Sequence, residues 1–253
     1  MRYFVLLCLA FISLFADESG SFKPLYSFGS VNLNYLSWSS QTKENTPHTD
    51  FAYLEAEGGA GWKWGEVYCL AAIENPTKSY DKEFATNRRY TLKPIVNLTI
   101  TGGLSVHLQN FHFESRDFDI DNVYAGFAYT YVMDSLWVKT FATLHYQEST
   151  YYSGMNGYAA GWVAKYDLAL FGENFSVFNW HEMEFARDRQ DYSLDDGTLT
   201  GNKGADGYNG ALAFWWNVNQ GYTLAMQYRY AKHKLGYEPM QEGFIATLKI
   251  FFL

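Results

Sequence analysis

Along this chain, polar and apolar residues alternate one by one in short segments separated by turn and loop residues, the period expected of strands with one apolar and one polar face. Twelve such segments are legible: 28–38, 51–62, 66–74, 88–99, 103–113, 122–132, 136–147, 158–170, 174–185, 207–217, 221–232 and 243–253. In the first, Val31, Leu33 and Tyr35 oppose Ser30, Asn32 and Asn34. In the eleventh, Tyr222, Leu224, Met226, Tyr228 and Tyr230 oppose Thr223, Ala225, Gln227 and Arg229. Three segments read less simply. Residues 66–74 are apolar on both faces and weakly registered, and the face of 174–185, with Asn179, His181, Glu182 and Glu184, cannot be chosen from the pattern. Pro94, inside 88–99, cannot donate to a ladder and predicts a bulge or an unpaired position.

The links fall into two kinds that alternate strictly along the chain. Short turns are expected at 63–65, 101–103, 133–135, 172–174 and 218–221, and longer polar links near 40–50, 75–87, 114–121, 148–157, 186–206 and 233–242. Short periplasmic turns and long outer loops are the habit of outer-membrane barrels. The pattern therefore predicts an all-β, antiparallel, up-and-down transmembrane barrel of about twelve strands with both termini in the periplasm.

Composition narrows this further. Aromatic residues make up 19% of the 253 residues, yet mean hydropathy is only −0.25 and no long apolar run follows the first sixteen residues, which excludes a helical membrane protein. Rings on one side and polar groups on the other suit a lipid-facing band with aromatic girdles around a polar interior. A soluble β-sandwich also shows evenly spaced short strands, but would be smaller or less aromatic.

Residues 1–16 run from Arg2 through an apolar stretch to Ala16, a secretory signal peptide cut near Ala16, leaving 17–253 as the barrel. Losing Arg2 takes the net charge from −8 to −9, and no basic cluster remains to hold nucleic acid. Of two cysteines, Cys8 lies in the leader, so the mature chain keeps Cys69 alone and forms no internal disulfide. The last segment ends Ile250-Phe251-Phe252-Leu253, with Phe244, Ala246, Leu248, Ile250 and Phe252 on one face, which resembles the C-terminal strand by which insertion machinery recognises outer-membrane barrels, except that the aromatic is penultimate.

Three stretches carry a more specific likeness: Tyr53-Leu54-Glu55-Ala56-Glu57 followed by the aromatic turn from Trp62 to Tyr68, then Tyr90-Thr91-Leu92-Lys93-Pro94, then Trp137 through Tyr158 to Lys165. In these the chain resembles the nucleoside-specific channel-forming outer-membrane porins (Tsx-like). That resemblance implies a twelve-stranded bacterial outer-membrane barrel through which nucleosides diffuse by passive, substrate-selective uptake, with the lipid bilayer as its surroundings. A nucleoside offers a flat π-face and several hydroxyls, so its lumen needs rings, carboxylates and amides.

Parity puts Tyr53, Glu55, Glu57, Arg89, Lys93, His107, Gln109, Lys139, His145 and Arg229 on the inner face, as candidate pore-lining or substrate-binding residues. Glu55 and Glu57 could meet sugar hydroxyls or could pair with Arg89 or Lys93 inside the wall. Tyr53 and Trp38 could stack on a base or could fill space. His107 and His145 lack a neighbour at ligand spacing and read as structural polar groups. Asp117, Asp119 and Asp121 imitate the opening of a calcium loop, but Asn122 replaces its glycine and Ala128 its closing glutamate. With Asp195-Asp196-Gly197 they read as solvated outer-loop groups, so no metal or cofactor is expected.

Two rivals remain. A barrel enzyme needs a serine nucleophile with its partners, and the only dense cluster, His181 with Glu182 or Glu184, has no serine beside it in sequence. A structural or receptor barrel would bind phage, bacteriocin or host surfaces through its outer loops without solute specificity, on the same fold.

Overall fold

The computed structural model describes residues 23–82, 86–188, 192–193, 199–200 and 205–252. The expected leader at 1–16, Asp195-Asp196-Gly197 and Leu253 lie outside the described residues. Twelve long strands follow one another: β1 (Tyr26–Trp38), β2 (Phe51–Trp62), β3 (Gly65–Glu74), β4 (Arg89–Thr101), β5 (Leu104–Glu114), β6 (Asp119–Met133), β7 (Leu136–Ser149), β8 (Tyr152–Leu170), β9 (Glu173–Phe185), β10 (Gly207–Asn217), β11 (Tyr222–Lys232) and β12 (Gln241–Phe251). Each pairs antiparallel with its neighbours in sequence, and β1 pairs with β12 from Ser30↔Phe251 to Trp38↔Gly243, closing the barrel. The up-and-down architecture expected from the alternation is the one observed. A six-residue helix, α1 (Ser40–Asn45), lies in the β1–β2 link, and Tyr192–Ser193 pairs with Leu199–Thr200 in the β9–β10 link.

Closure explains why alternation is so regular. With each strand paired on both sides around the closed sheet, each side chain has only two destinations, lipid or lumen. Leu33 is 44% exposed, while its neighbours Asn32 and Asn34 are 2% and 6% exposed. On β6, Phe127 is 58% exposed and Tyr124 1%. The exposed set, including Val31, Leu54, Leu108, Leu144, Leu212, Leu224 and Phe244, forms the apolar belt, with Tyr129, Tyr131, Tyr166, Trp216 and Tyr222 toward the tight-turn end. Small inward residues such as Ala128, Ala159, Ala211 and Ala213 are buried, leaving room for larger inward side chains opposite.

Five tight turns join strands at one end, and both described chain ends lie there too, since Tyr26 pairs beside Gly61 and Phe251 beside Ser30. Gly102 adopts φ +54 in the β4–β5 turn, a left-handed conformation that glycine takes without strain. Inside the wall, an added Cβ at Gly161 would come within 2.2 Å of the His181 carbonyl oxygen and 2.8 Å of the Phe141 ring, so this position admits only hydrogen.

Several details depart from the sequence pattern. Strand β8 begins at Tyr152 rather than 158, so the long outer link expected over 148–157 is only Thr150-Tyr151, and the long–short alternation is not strict. The pattern breaks there because the register shifts between Leu144 and Tyr146, and Gly157 takes φ +78, which interrupts the period of two. Likewise β6 starts at Asp119, drawing Asp119 and Asp121 out of the expected loop into a ladder with β5 and β7. Strand β3, apolar on both faces, is paired continuously from Tyr53↔Glu74 to Trp62↔Gly65. Pro94 produces the unpaired position and not a bulge: on the β5 side the ladder runs Leu92↔His112 and resumes at Ile95↔Gln109 in the same register, while on the β3 side Pro94 faces Cys69. The final strand starts at Gln241 and ends at Phe251.

Leu33, near the middle of β1, tests the belt directly. The variant Leu33→Arg is expected to lower the stability of the folded barrel in lipid vesicles by about 2–4 kcal/mol in denaturant titrations. A cost under about 1 kcal/mol would place it outside the hydrocarbon.

Candidate functional site: the lumen and its inner wall

The side chains predicted to face inward do so. Tyr53 packs beside the buried cluster of Leu36, Trp38, Phe51 and Ile245 on the inner wall toward the outer end, with its ring 5.8 Å from Phe51. Trp38 belongs to that filling and stacks on His48 at 4.6 Å. On the next rungs of β2, Glu55 accepts a hydrogen bond from Asn32 Nδ2 at 2.6 Å. Glu57 accepts from Asn32 at 3.1 Å and from the Tyr68 hydroxyl at 2.7 Å, and is ion-paired with Lys249.

Most inner-wall charges are compensated, but with different partners from those expected. Neither Glu55 nor Glu57 reaches Arg89 or Lys93. Arg89 pairs with Glu74 at 2.6 Å and lies over the Phe51 ring at 4.9 Å. Lys93 pairs with Glu182 across the lumen at 3.8 Å. The reason is geometric: the strand partner of Arg89 is Glu74 itself, whereas β2 stands one strand farther away with β3 between. Lys139 pairs with Glu66, which also accepts from Asn97 Nδ2 at 2.8 Å. Near the tight-turn end, Lys165 pairs with Asp167 at 2.9 Å.

His107 and His145 are built into the wall. Nδ1 of His107 bonds Asn97 Oδ1 at 2.7 Å and its ring stacks on Phe141 at 5.0 Å. Nε2 of His145 bonds Asn122 Oδ1 at 2.9 Å and its ring stacks on Tyr124 at 4.7 Å. Gln109 donates to Glu182 at 3.2 Å. Among the described residues, Glu55 and Arg229 have no oppositely charged side chain at ion-pair distance. Arg229 lies over the Trp180 ring at 4.6 Å, and Lys93 approaches the same ring at 5.6 Å.

The undecided strand β9 supplies the centre of this arrangement. Ser176, Phe178, Trp180, Glu182 and Glu184 turn inward, and Asn179 and His181 outward, as the pairing Glu184↔Ala159 and the burial of Ser176, Glu182 and Glu184 show. His181 therefore stands on the opposite face from both glutamates. It stacks on Trp162 at 4.5 Å and meets the Tyr230 hydroxyl at 2.9 Å. Within β9 the two glutamates, at i and i+2, could have been assigned together, since alternation must separate them from His181. Lys249 was legible too, on the face opposite Leu248 and Ile250. What no pattern could reveal is the contribution of the outer links.

Two cations enter the lumen from those links. Lys234 Nζ donates to Glu182 at 2.8 Å and Glu184 at 2.7 Å, and Arg187 donates to Glu184 at 3.0 Å. The Tyr124 hydroxyl donates to Glu184 at 2.8 Å. Burial alone would lower the Lys234 ammonium, but the two carboxylates outweigh it and hold the group above its ordinary value. Among the described residues, the inward groups Arg89, Lys93, Lys139, Lys165, Arg187, Arg229, Lys234 and Lys249 give eight cations against seven anions, Glu55, Glu57, Glu66, Glu74, Asp167, Glu182 and Glu184. This inner set is thus nearly neutral, and the chain's negative charge lies outside it.

Comparison with known proteins fits this geometry. The family model "Nucleoside-specific channel-forming protein, Tsx" matches residues 33–249. Among solved structures, the NanC porin superposes with a TM-score of 0.54 at 9% identity, covering 88% of this chain and 100% of that one. The KdgM porin, solved in complex with disordered oligogalacturonate, superposes with a TM-score of 0.51 at 7% identity, covering 88% of this chain and 99% of that one.

The Arg89–Glu74 pair gives a test of wall compensation. Arg89→Met leaves a largely buried carboxylate behind and is expected to cost about 3 kcal/mol in unfolding titrations, the lower end for breaking a buried pair. Adding Glu74→Gln should recover most of it. Equal losses in the single and double variants would show that the pair does not act as a unit.

Proposed function

Because the chain belongs to the family of nucleoside-specific channel-forming proteins, it is a bacterial outer-membrane channel for passive uptake of small solutes, and we propose that its nucleosides travel along Trp180, Tyr53, Glu55 and Arg229. The observation that carries this reading is the charge balance of the inner wall, in which nearly every inward charge already has a partner. A neutral solute crosses such a lumen without competing against a surplus of either charge, and the rings and amides left between the pairs offer stacking and hydrogen bonds. Glu55 and Arg229, held by an amide and a ring rather than by an opposite charge, are the groups best placed to exchange partners for sugar hydroxyls. Glu57, Arg89, Lys93, His107, Lys139 and His145 are engaged in the wall and shape the passage.

A polyanion such as oligogalacturonate would be better served by a surplus of inward cations, and eight against seven is not one. Catalysis is not part of the proposal, since alternation sets His181 and the glutamates on opposite faces and removes the cluster a triad would need. We also infer that residues 1–16 direct export and that β12, with Phe244, Ala246, Leu248 and Ile250 outward, is the element insertion machinery reads. Contact of the outer loops with phage or bacteriocin stays a proposal of the same kind, with no particular residue favouring it.

In planar bilayers, nucleosides are expected to block single-channel current in a concentration-dependent way. Tyr53→Ala should weaken that block more than Tyr228→Ala, whose ring lies outside, 5.6 Å from Phe244. Unblocked current in the parent channel would defeat the nucleoside reading, and equal effects of the two variants would defeat the inward path.

A further inference from the structure

We propose that Lys234 tethers the outer link between β11 and β12 inside the barrel, and that this loop-borne lysine sets both the outer constriction and the charge selectivity of the channel. A lysine on an outer loop ordinarily faces water, where its long chain keeps its freedom and its charge its hydration. Here the side chain is only 10% exposed. The link doubles back through three left-handed residues, His233 at φ 50, Leu235 at φ 58 and Gly236 at φ 84, and closes with a bridge between Lys234 and Tyr237. Left-handed backbone at His233 and Leu235 is costly, so something must hold the turn.

The holding contacts converge on Lys234. Its ammonium bonds both β9 glutamates, its carbonyl accepts from Gln241 Nε2 at 2.8 Å, and the carbonyl of His233 accepts from Arg187 at 2.8 Å. Gln241 also bonds His48 at 2.6 Å, so the β1–β2 link closes over the same point.

The decisive point is that both β9 glutamates keep a cationic partner without this lysine. Without it, Glu182 keeps Lys93 at 3.8 Å and Glu184 keeps Arg187 at 3.0 Å, two carboxylates against two cations. Lys234 is the further cation on these two carboxylates, and, like Arg187, it is attached to a link rather than to a strand. Its effects therefore fall on the loop's position and on the field ions meet there, rather than on the barrel's integrity.

The test uses KCl alone in planar bilayers. It rests on the channel reading but not on the solute, so a nucleoside that fails to block leaves it intact. Lys234→Gln is expected to raise single-channel conductance roughly twofold or more and to move the reversal potential in a KCl gradient toward that of K+, since a constricting group and a positive charge leave together. Lys234→Met should behave alike, and Lys234→Arg should keep the parent's ion preference. Parent-like conductance and reversal potential in both neutral variants would overturn the proposal, as would a Lys234→Arg reversal potential matching that of Lys234→Gln.

Discussion

Everything in this molecule follows from the backbone's need for hydrogen bonds where there is no water to supply them. Twelve strands closed between β1 and β12 satisfy their carbonyl and amide groups within the sheet, and closure leaves side chains two directions only. Apolar residues take the outside. Polar residues are thereby sent to an interior narrow enough that many of them are desolvated, as the burial of Asn32, His107, His145 and Glu184 shows. A charge there must find a partner or carry the full cost of leaving water. The ion pairs across and along the inner wall are the consequence of the fold before they are features of transport.

This order of causes also explains what the sequence could and could not reveal. Strand existence, the inner face of β2, β4, β5, β7 and β11, and the tight turns were legible because each depends on a local period of two. Partners were not legible, because pairing depends on strand order and lumen width, which no single segment records. Arg89 finds Glu74 on the adjacent strand, while Lys93 finds Glu182 on the far wall. Strand β9 was undecidable because aromatic and polar residues occupy both its faces: His181 and Asn179 are sheltered outside by Trp162 and Tyr230, which hides the polarity difference alternation relies on. Lys234 and Arg187 were invisible for another reason, since a loop residue has no parity.

A wall that is charged but compensated acts on solutes in a particular way. Opposite charges on facing sides produce a field across the passage and little along it, so a permeating molecule is oriented without being trapped. Conduction requires just that combination, attraction sufficient for entry and too weak to hold. Trp180, with Arg229 at 4.6 Å and Lys93 at 5.6 Å from its ring, shows how an aromatic face takes part in holding inward cations. On the proposed reading, selectivity for small neutral molecules needs no dedicated binding pocket. Balanced charges, rings and amides along the inner wall are the means, and a link lysine, Lys234, reaches in to two carboxylates that also have other partners.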